Sequence, residues 1–153
     1  MKLANALSQR SDLQTRLRQL ESRLNDNAQV QEGEQPAEDP AELLKELDEG
    51  YTQLEALISA INRTNNAIPA GEGVTLSGLL ARRDCLKSKL SALRNFLGNA
   101  SALVRRHSVS EIKVKSTVNV RALQKQVDEL SKQLRELDEA IQEKNWTTEL
   151  IEG

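Results

Sequence analysis

Leu3, Ala6, Arg10, Leu13, Leu17, Leu20 and Leu24 follow one another in alternating steps of three and four. That spacing keeps one face of a helix turned toward a partner, and it predicts a first helix over about 2–25. The next segment, 27–39, loses the period and carries Gly33 and Pro36, so it reads as a linker with room for a short strand at 28–31. Asp39 and Pro40 then supply an N-cap and an N1 proline. A second helix follows over about 40–67, with Leu44, Leu47, Tyr51, Leu54, Ile58, Ile61, Asn65 and Ile68 in the same steps and Leu43 and Leu57 widening the apolar face. Pro69, Gly71 and Gly73 break it. Thr75 caps a third helix over about 75–98, whose seam reads Leu76, Leu79, Arg83, Leu86, Leu90, Leu93 and Leu97. In 110–118 the period changes to two, with β-branched residues at Ile112, Val114 and Val118, which predicts a strand or hairpin. Asn119 caps a fourth helix over about 120–145, with Leu123, Val127, Leu130, Leu134, Leu137 and Ile141 as its seam.

Each of the four helices has about 25 residues, or roughly 37 Å at 1.5 Å per residue. Matched lengths point to a mainly α fold: an antiparallel, coiled-coil-like four-helix bundle forming a single domain over 1–153, with a small β element between helices 3 and 4. An up-down-up-down chain would bring the first and third connections to one end, where 28–31 and 110–118 would pair. The positions flanking the fourth seam, among them Gln124, Gln126, Ser131, Gln133 and Ala140, are nearly uncharged. A two-stranded zipper places opposite charges there. Helix 4 is therefore expected to contact several neighbours, within one chain or across a homo-oligomer.

Composition narrows the function classes. Charged residues reach 29% while the net charge is only -2, as on solvated helical surfaces. There is no basic stripe and only 2% aromatic residues, so nucleic acid is not an expected partner. The scarcity of aromatics also leans away from an enzyme with a small-molecule pocket. One cysteine, Cys85, excludes an internal disulfide and fits a reducing, cytoplasmic setting. No apolar run approaches the length of a membrane span, and Met1 to Arg10 lacks the apolar core of a signal peptide. Cys85 and His107 alone cannot build a zinc site, and the GEGV segment at Gly71 lacks the Lys-Ser/Thr of a phosphate loop. No cofactor or metal is expected. His107, beside Arg105 and Arg106, is read as lying on a solvated connection.

The sharper hint lies in the seams themselves. Arg10, Asn65 and Arg83 occupy inward positions that ordinarily hold Leu or Ile. In the up-down arrangement they fall in the half of the bundle that holds the termini, with Arg63, Arg82, Asp84, Lys144, Asn145 and Trp146 close by. A buried arginine needs a carboxylate, since an isolated buried charge costs several kcal/mol, an order-of-magnitude figure. Asp84, Asp12, Glu139 and Glu143 are the candidates. One reading is an internal salt-bridge network that fixes register. The other is a site for an anionic ligand, formed by Arg10, Arg63, Asn65, Arg82, Arg83, Asp84 and Asn145 with Trp146 as its wall.

The segments MKLANAL at Met1, VQEGEQPAEDP at Val30, INRTN at Ile61, LARRD at Leu80, SEI at Ser110, ALQKQVDEL at Ala122 and NWTTEL at Asn145 extend over nearly the whole chain. Through them the sequence resembles the septicolysin-like family of small bacterial proteins. The resemblance implies a protein whose biochemical activity is not established and whose family name suggests a cytolysin. Its motif residues Arg63, Thr64, Asn65, Arg82, Arg83, Asp84, Asn145 and Trp146 coincide with the polar half of the bundle. Three expectations follow. The first is a non-enzymatic, self-associating helical-bundle protein; the second a membrane-active, lysin-like protein; the third a binding or hydrolytic protein with an anionic-ligand site at the polar half.

Overall fold

A computed structural model describes residues 1–102 and 112–153. It contains four helices, α1 (Leu3–Asp26), α2 (Pro40–Ala67), α3 (Leu76–Ser101) and α4 (Val120–Thr147). The caps do what their residue types suggest. The Asp39 carboxylate accepts from the Ala41 amide at 3.0 Å, Thr75 Oγ1 from the Gly78 amide at 3.4 Å and Asn119 Oδ1 from the Ala122 amide at 3.0 Å. Gly98 does not stop α3. The helix runs on to Ser101, whose hydroxyl bonds back to the Leu97 carbonyl at 2.8 Å.

By its internal contacts the chain divides into two compact units, one made of 1–69 with 144–153 and the other of 70–143. In the first, α1 and α2 form an antiparallel hairpin. Arg23 meets Glu38 near the turn, and further along Arg16 meets Glu46 and Leu17 meets Gly50. Leu17, Leu20, Leu43 and Leu54 make the buried core of the hairpin, with Leu13, Leu24, Leu47 and Ile58 packed around them.

The face that α2 buries coincides only in part with the one its apolar period marks: Leu54 and Ile61 of that seam are buried, whereas Leu44 and Tyr51 are exposed. Its wholly buried residues are Leu43, Gly50, Leu54, Ala60, Ile61 and Thr64. Leu43, Gly50 and Thr64 of one row are thus turned inward, whereas in the next row Leu44 and Tyr51 are exposed and Ile58 and Asn65 half-buried. The reason is Gly50: a Cβ there would stand 2.6 Å from Leu17 Cδ2. The glycine lets the Leu17 side chain seat against bare helix backbone, which draws its whole row toward α1.

The connection after α1 is fixed by Asn27. Its side-chain amide donates to the Arg23 carbonyl at 2.8 Å and its carbonyl accepts from the Glu38 amide at 2.9 Å. Hydrogen bonding from Arg23 holds the Glu38 carboxyl below its ordinary range. With the linker tied to the helix end in this way, 28–31 forms no strand.

In the second unit α3 and α4 pack through Leu90, Leu97 and Val127, flanked by Leu86, Leu93, Val120, Leu123, Leu130 and Leu134. Arg94 reaches across to the Ser131 hydroxyl at 2.7 Å. Gly71 and Gly73, at φ 144° and 68°, form the loop before α3, closed by the Ala70 amide on the Val74 carbonyl at 2.8 Å.

Among the described residues the expected β element between helices 3 and 4 does not form: 112–118 is not a strand, and 110–111, like His107, lies outside them. Ile112 is 78% exposed, and Ser116 Oγ folds onto the Val118 carbonyl at 3.1 Å. Alternating β-branched residues make a strand only when a ladder partner takes up their backbone groups, and here a local hydroxyl contact competes instead. The extended pairing that does form was not expected, an isolated antiparallel bridge between Lys2 and Glu149.

Gly50 gives a direct test of the hairpin packing. Gly50→Ala gains about 1 kcal/mol of helix propensity against a push on one flexible methyl, so it is expected to be near neutral. Gly50→Leu has no room and is expected to cost about 1–3 kcal/mol. Urea denaturation of the two variants checks this, and equal stabilities would contradict the close approach.

Candidate functional site

Once Lys2 and Glu149 pair, the end of the α1–α2 hairpin acquires a third component. The Leu3 amide donates to the Thr148 carbonyl at 2.9 Å, and the Leu150 amide to the Met1 carbonyl at 2.8 Å. Glu149 accepts from Lys2 and lies 3.2 Å from the Met1 amino group. Segment 148–153 is then seated on α2. Thr64 Oγ1, completely buried, donates to the Ala60 carbonyl at 2.8 Å and accepts from the Ile151 amide at 2.9 Å. The Arg63 guanidinium donates to the Ile151 carbonyl at 3.3 Å, and a Cβ on Gly153 would stand 3.0 Å from both its Nη atoms. Adjacent residues of one helix thus hold both polar groups of the Ile151 backbone.

Beside this seat runs a groove of about 690 Å³ lined by Met1, Gln9, Leu13, Gln53, Ala56, Leu57, Ser59, Ala60, Arg63, Leu150, Glu152 and Gly153. The volume falls in the range of small-molecule sites, which are mostly apolar with a few placed polar groups. Leu13, Ala56, Leu57, Ala60 and Leu150 give the apolar part. Gln9, Gln53, Ser59, Arg63 and Glu152 give the polar part. The lining offers hydrogen-bonding groups and the Arg63 guanidinium, and no nucleophile–base pair.

Of the residues singled out from sequence, Arg63 lines this groove. Arg10 and Asn65 belong to the same unit and are half-buried; Asn145 is buried and Trp146 is 62% exposed. Arg82, Arg83 and Asp84 belong to the other unit, where half-buried Arg83 pairs with Asp84 at 3.3 Å. That ion pair joins neighbouring residues with an exposed carboxylate, and such pairs contribute little to stability. Sequence reasoning missed the groove residues Gln9, Gln53, Ala56, Leu57 and Glu152. Nothing in their types marks them; they become a site only when two helices and a returning segment meet. Thr64 entered only through a motif, though a small hydroxyl on the buried row of α2 was a usable signal.

A helical hairpin closed by a returning extended segment, with a groove at the closure, is the class of structure that the first unit defines. The chain belongs to a family of unknown function, DUF6847, whose model matches residues 10–150. It is similar along its whole length to a solved structure, described as a functionally unknown conserved protein from Corynebacterium diphtheriae. The two share 42% identity over 99% of each chain, with a TM-score of 0.93. No curated protein matches. These findings overturn the septicolysin resemblance, because family model and structure alike lead to proteins of unknown function and neither to a lysin. Its segments are short, and singly each is unspecific. The lysin expectation loses its support with the resemblance. Among the described residues no helix is long and apolar enough to cross a membrane.

Two outcomes test the closure. Thr64→Val keeps the shape of the side chain but strands the Ile151 amide, at a cost of about 1–3 kcal/mol. Hydrogen exchange at Leu150 and Ile151 should accelerate before that of the Leu17–Leu54 core. The second is pH dependence. Hydrogen bonds from Lys2, then from the Met1 amino group, hold the Glu149 carboxyl below its usual 4.5. The fold therefore favours the charged form. The contribution of Glu149 is complete above about pH 4.5 and is lost as pH falls through the lowered folded value. Exchange at the Leu150 amide should rise across that acid window, and Glu149→Gln should flatten the dependence.

Proposed function

We propose that the protein is a non-enzymatic helical protein that works as a homo-oligomer, built by pairing the outer row of α2 with the same row of a second copy. The observation that carries this reading is the exposure of Leu44 and Tyr51, at 56% and 55%, one heptad apart on one helix, with half-buried Ile58 a further heptad along. Isolated exposed apolar residues are ordinary, whereas a row of them marks an interaction surface. Beside Tyr51 the surface holds a concavity of about 530 Å³ lined by Tyr51, Leu54, Glu55, Ile58, Ser59 and Asn62. A projecting ring next to a hollow on one patch suits a two-fold interface, where each copy supplies both parts. Large aromatic side chains seated in such hollows dominate interface energetics. The exposed thiol of Cys85 accords with the reducing, cytoplasmic setting proposed for it.

The test is light scattering across a dilution series. The unaltered protein is expected to give one species of twice the chain mass, and the double variant Leu44→Glu, Tyr51→Glu a monomer with unchanged helicity by circular dichroism. A unaltered protein that stays monomeric at all concentrations defeats the reading.

A further inference from the structure

The groove at the closure has a direction. Its α2 residues Gln53, Ala56, Leu57, Ala60 and Arg63 recur at helical intervals, so they form one line along the helix. From Gln53 to Arg63 that line measures about 15 Å at 1.5 Å per residue. Leu13 of α1 and Leu150 of the returning segment also line it. The floor is aliphatic and narrow in character, with no aromatic face for a ring to stack on. Arg63 stands at one end. Its guanidinium is exposed and spends one donor on the Ile151 carbonyl. Among the described residues no acidic side chain forms an ion pair with it, Glu152 of the groove rim included.

A cation with no ion-paired acidic side chain among the described residues, at the end of an aliphatic trough, selects for a complementary shape and charge. We infer that this groove binds a linear amphiphile, an alkyl chain lying along Ala56, Leu57 and Ala60 with an anionic head group on Arg63. The chain buries apolar surface that water otherwise covers. The head receives charge-assisted hydrogen bonds from the guanidinium donors that Ile151 leaves unused. A carboxylate or a phosphate monoester would satisfy the same donors. Glu152 opposes either head by its charge, and this sets the sign of one test. The groove includes neither Leu44 nor Tyr51 and shares only Ser59 with the hollow beside Tyr51, so binding and self-association are tested by separate variants.

The experiment is isothermal titration calorimetry of the full chain with decanoate, decyl phosphate, decyltrimethylammonium and 1-decanol, each below its aggregation concentration. Decanoate or decyl phosphate should bind once per chain, the preferred one identifying the head group, and decyltrimethylammonium should bind at least about tenfold more weakly, a difference of about 1.4 kcal/mol. Arg63→Gln should weaken the anionic probes about tenfold or more, as loss of a charged hydrogen bond implies, and leave 1-decanol unchanged. Glu152→Gln should strengthen the anionic probes. Because Arg63 also holds Ile151, Ala56→Phe provides the second variant; it fills the trough from an exposed position and should abolish binding of all probes. Absence of binding by both anionic probes overturns the inference. So does equal binding of the cationic probe, or binding that survives Ala56→Phe.

Discussion

The contact between Leu17 and the bare backbone at Gly50 sets the geometry on which the first unit depends. Helix pairs approach as closely as the side chains between them allow, and here one side has none. The row containing Gly50 is therefore drawn inward, and Leu43 and Thr64 come with it because they lie one and two heptads away on the same line. Every consequence for the surface follows from that rotation. Leu44 and Tyr51, which the apolar period alone would bury, are turned to the flank. Thr64 is placed inside, where its hydroxyl can receive the amide of a segment that arrives from the far end of the sequence.

The returning segment then closes the hairpin with backbone groups more than with side chains. Two main-chain bonds to the first residues, one bond to a buried hydroxyl and one to a guanidinium fix 148–151 in place. Such polar contacts individually add little net stability, but they are directional. They determine where Leu150 and Glu152 sit, and so give the trough between α1 and α2 a third wall. The electrostatic clasp at Glu149 is exposed and ties the same segment to Lys2. The groove therefore depends on the integrity of the closure as well as on the two helices.

Two expectations of the sequence reading depended on contacts that a local pattern does not carry. The alternation in 112–118 is a real period of two, yet a strand exists only in company, and Ser116 turns back on Val118 instead. The placement of Arg10, Asn65 and Arg83 in the seams assumed that the a-type row of each helix faces inward. In α2 that row is inward only in part: Leu44 and Tyr51 are exposed, Ile58 and Asn65 half-buried, and the neighbouring Thr64 fully enclosed. Arg83 answers to Asp84, one of the carboxylates expected for it.

Helix number, helix starts and caps were determined by the sequence itself, because they rest on interactions within a few residues: a 3.6-residue period, a side-chain oxygen on a nearby amide, a proline at N1. The aliphatic character of the core was likewise set by which residues the chain contains. Only the tertiary structure decided which row of α2 turns inward, where the extended pairing forms and which side chains line a common groove. Those outcomes depend on the fit of Gly50 to Leu17 and on the bond from Ile151 to Thr64. Both join residues far apart in the chain, and a local pattern carries no information about how such partners meet.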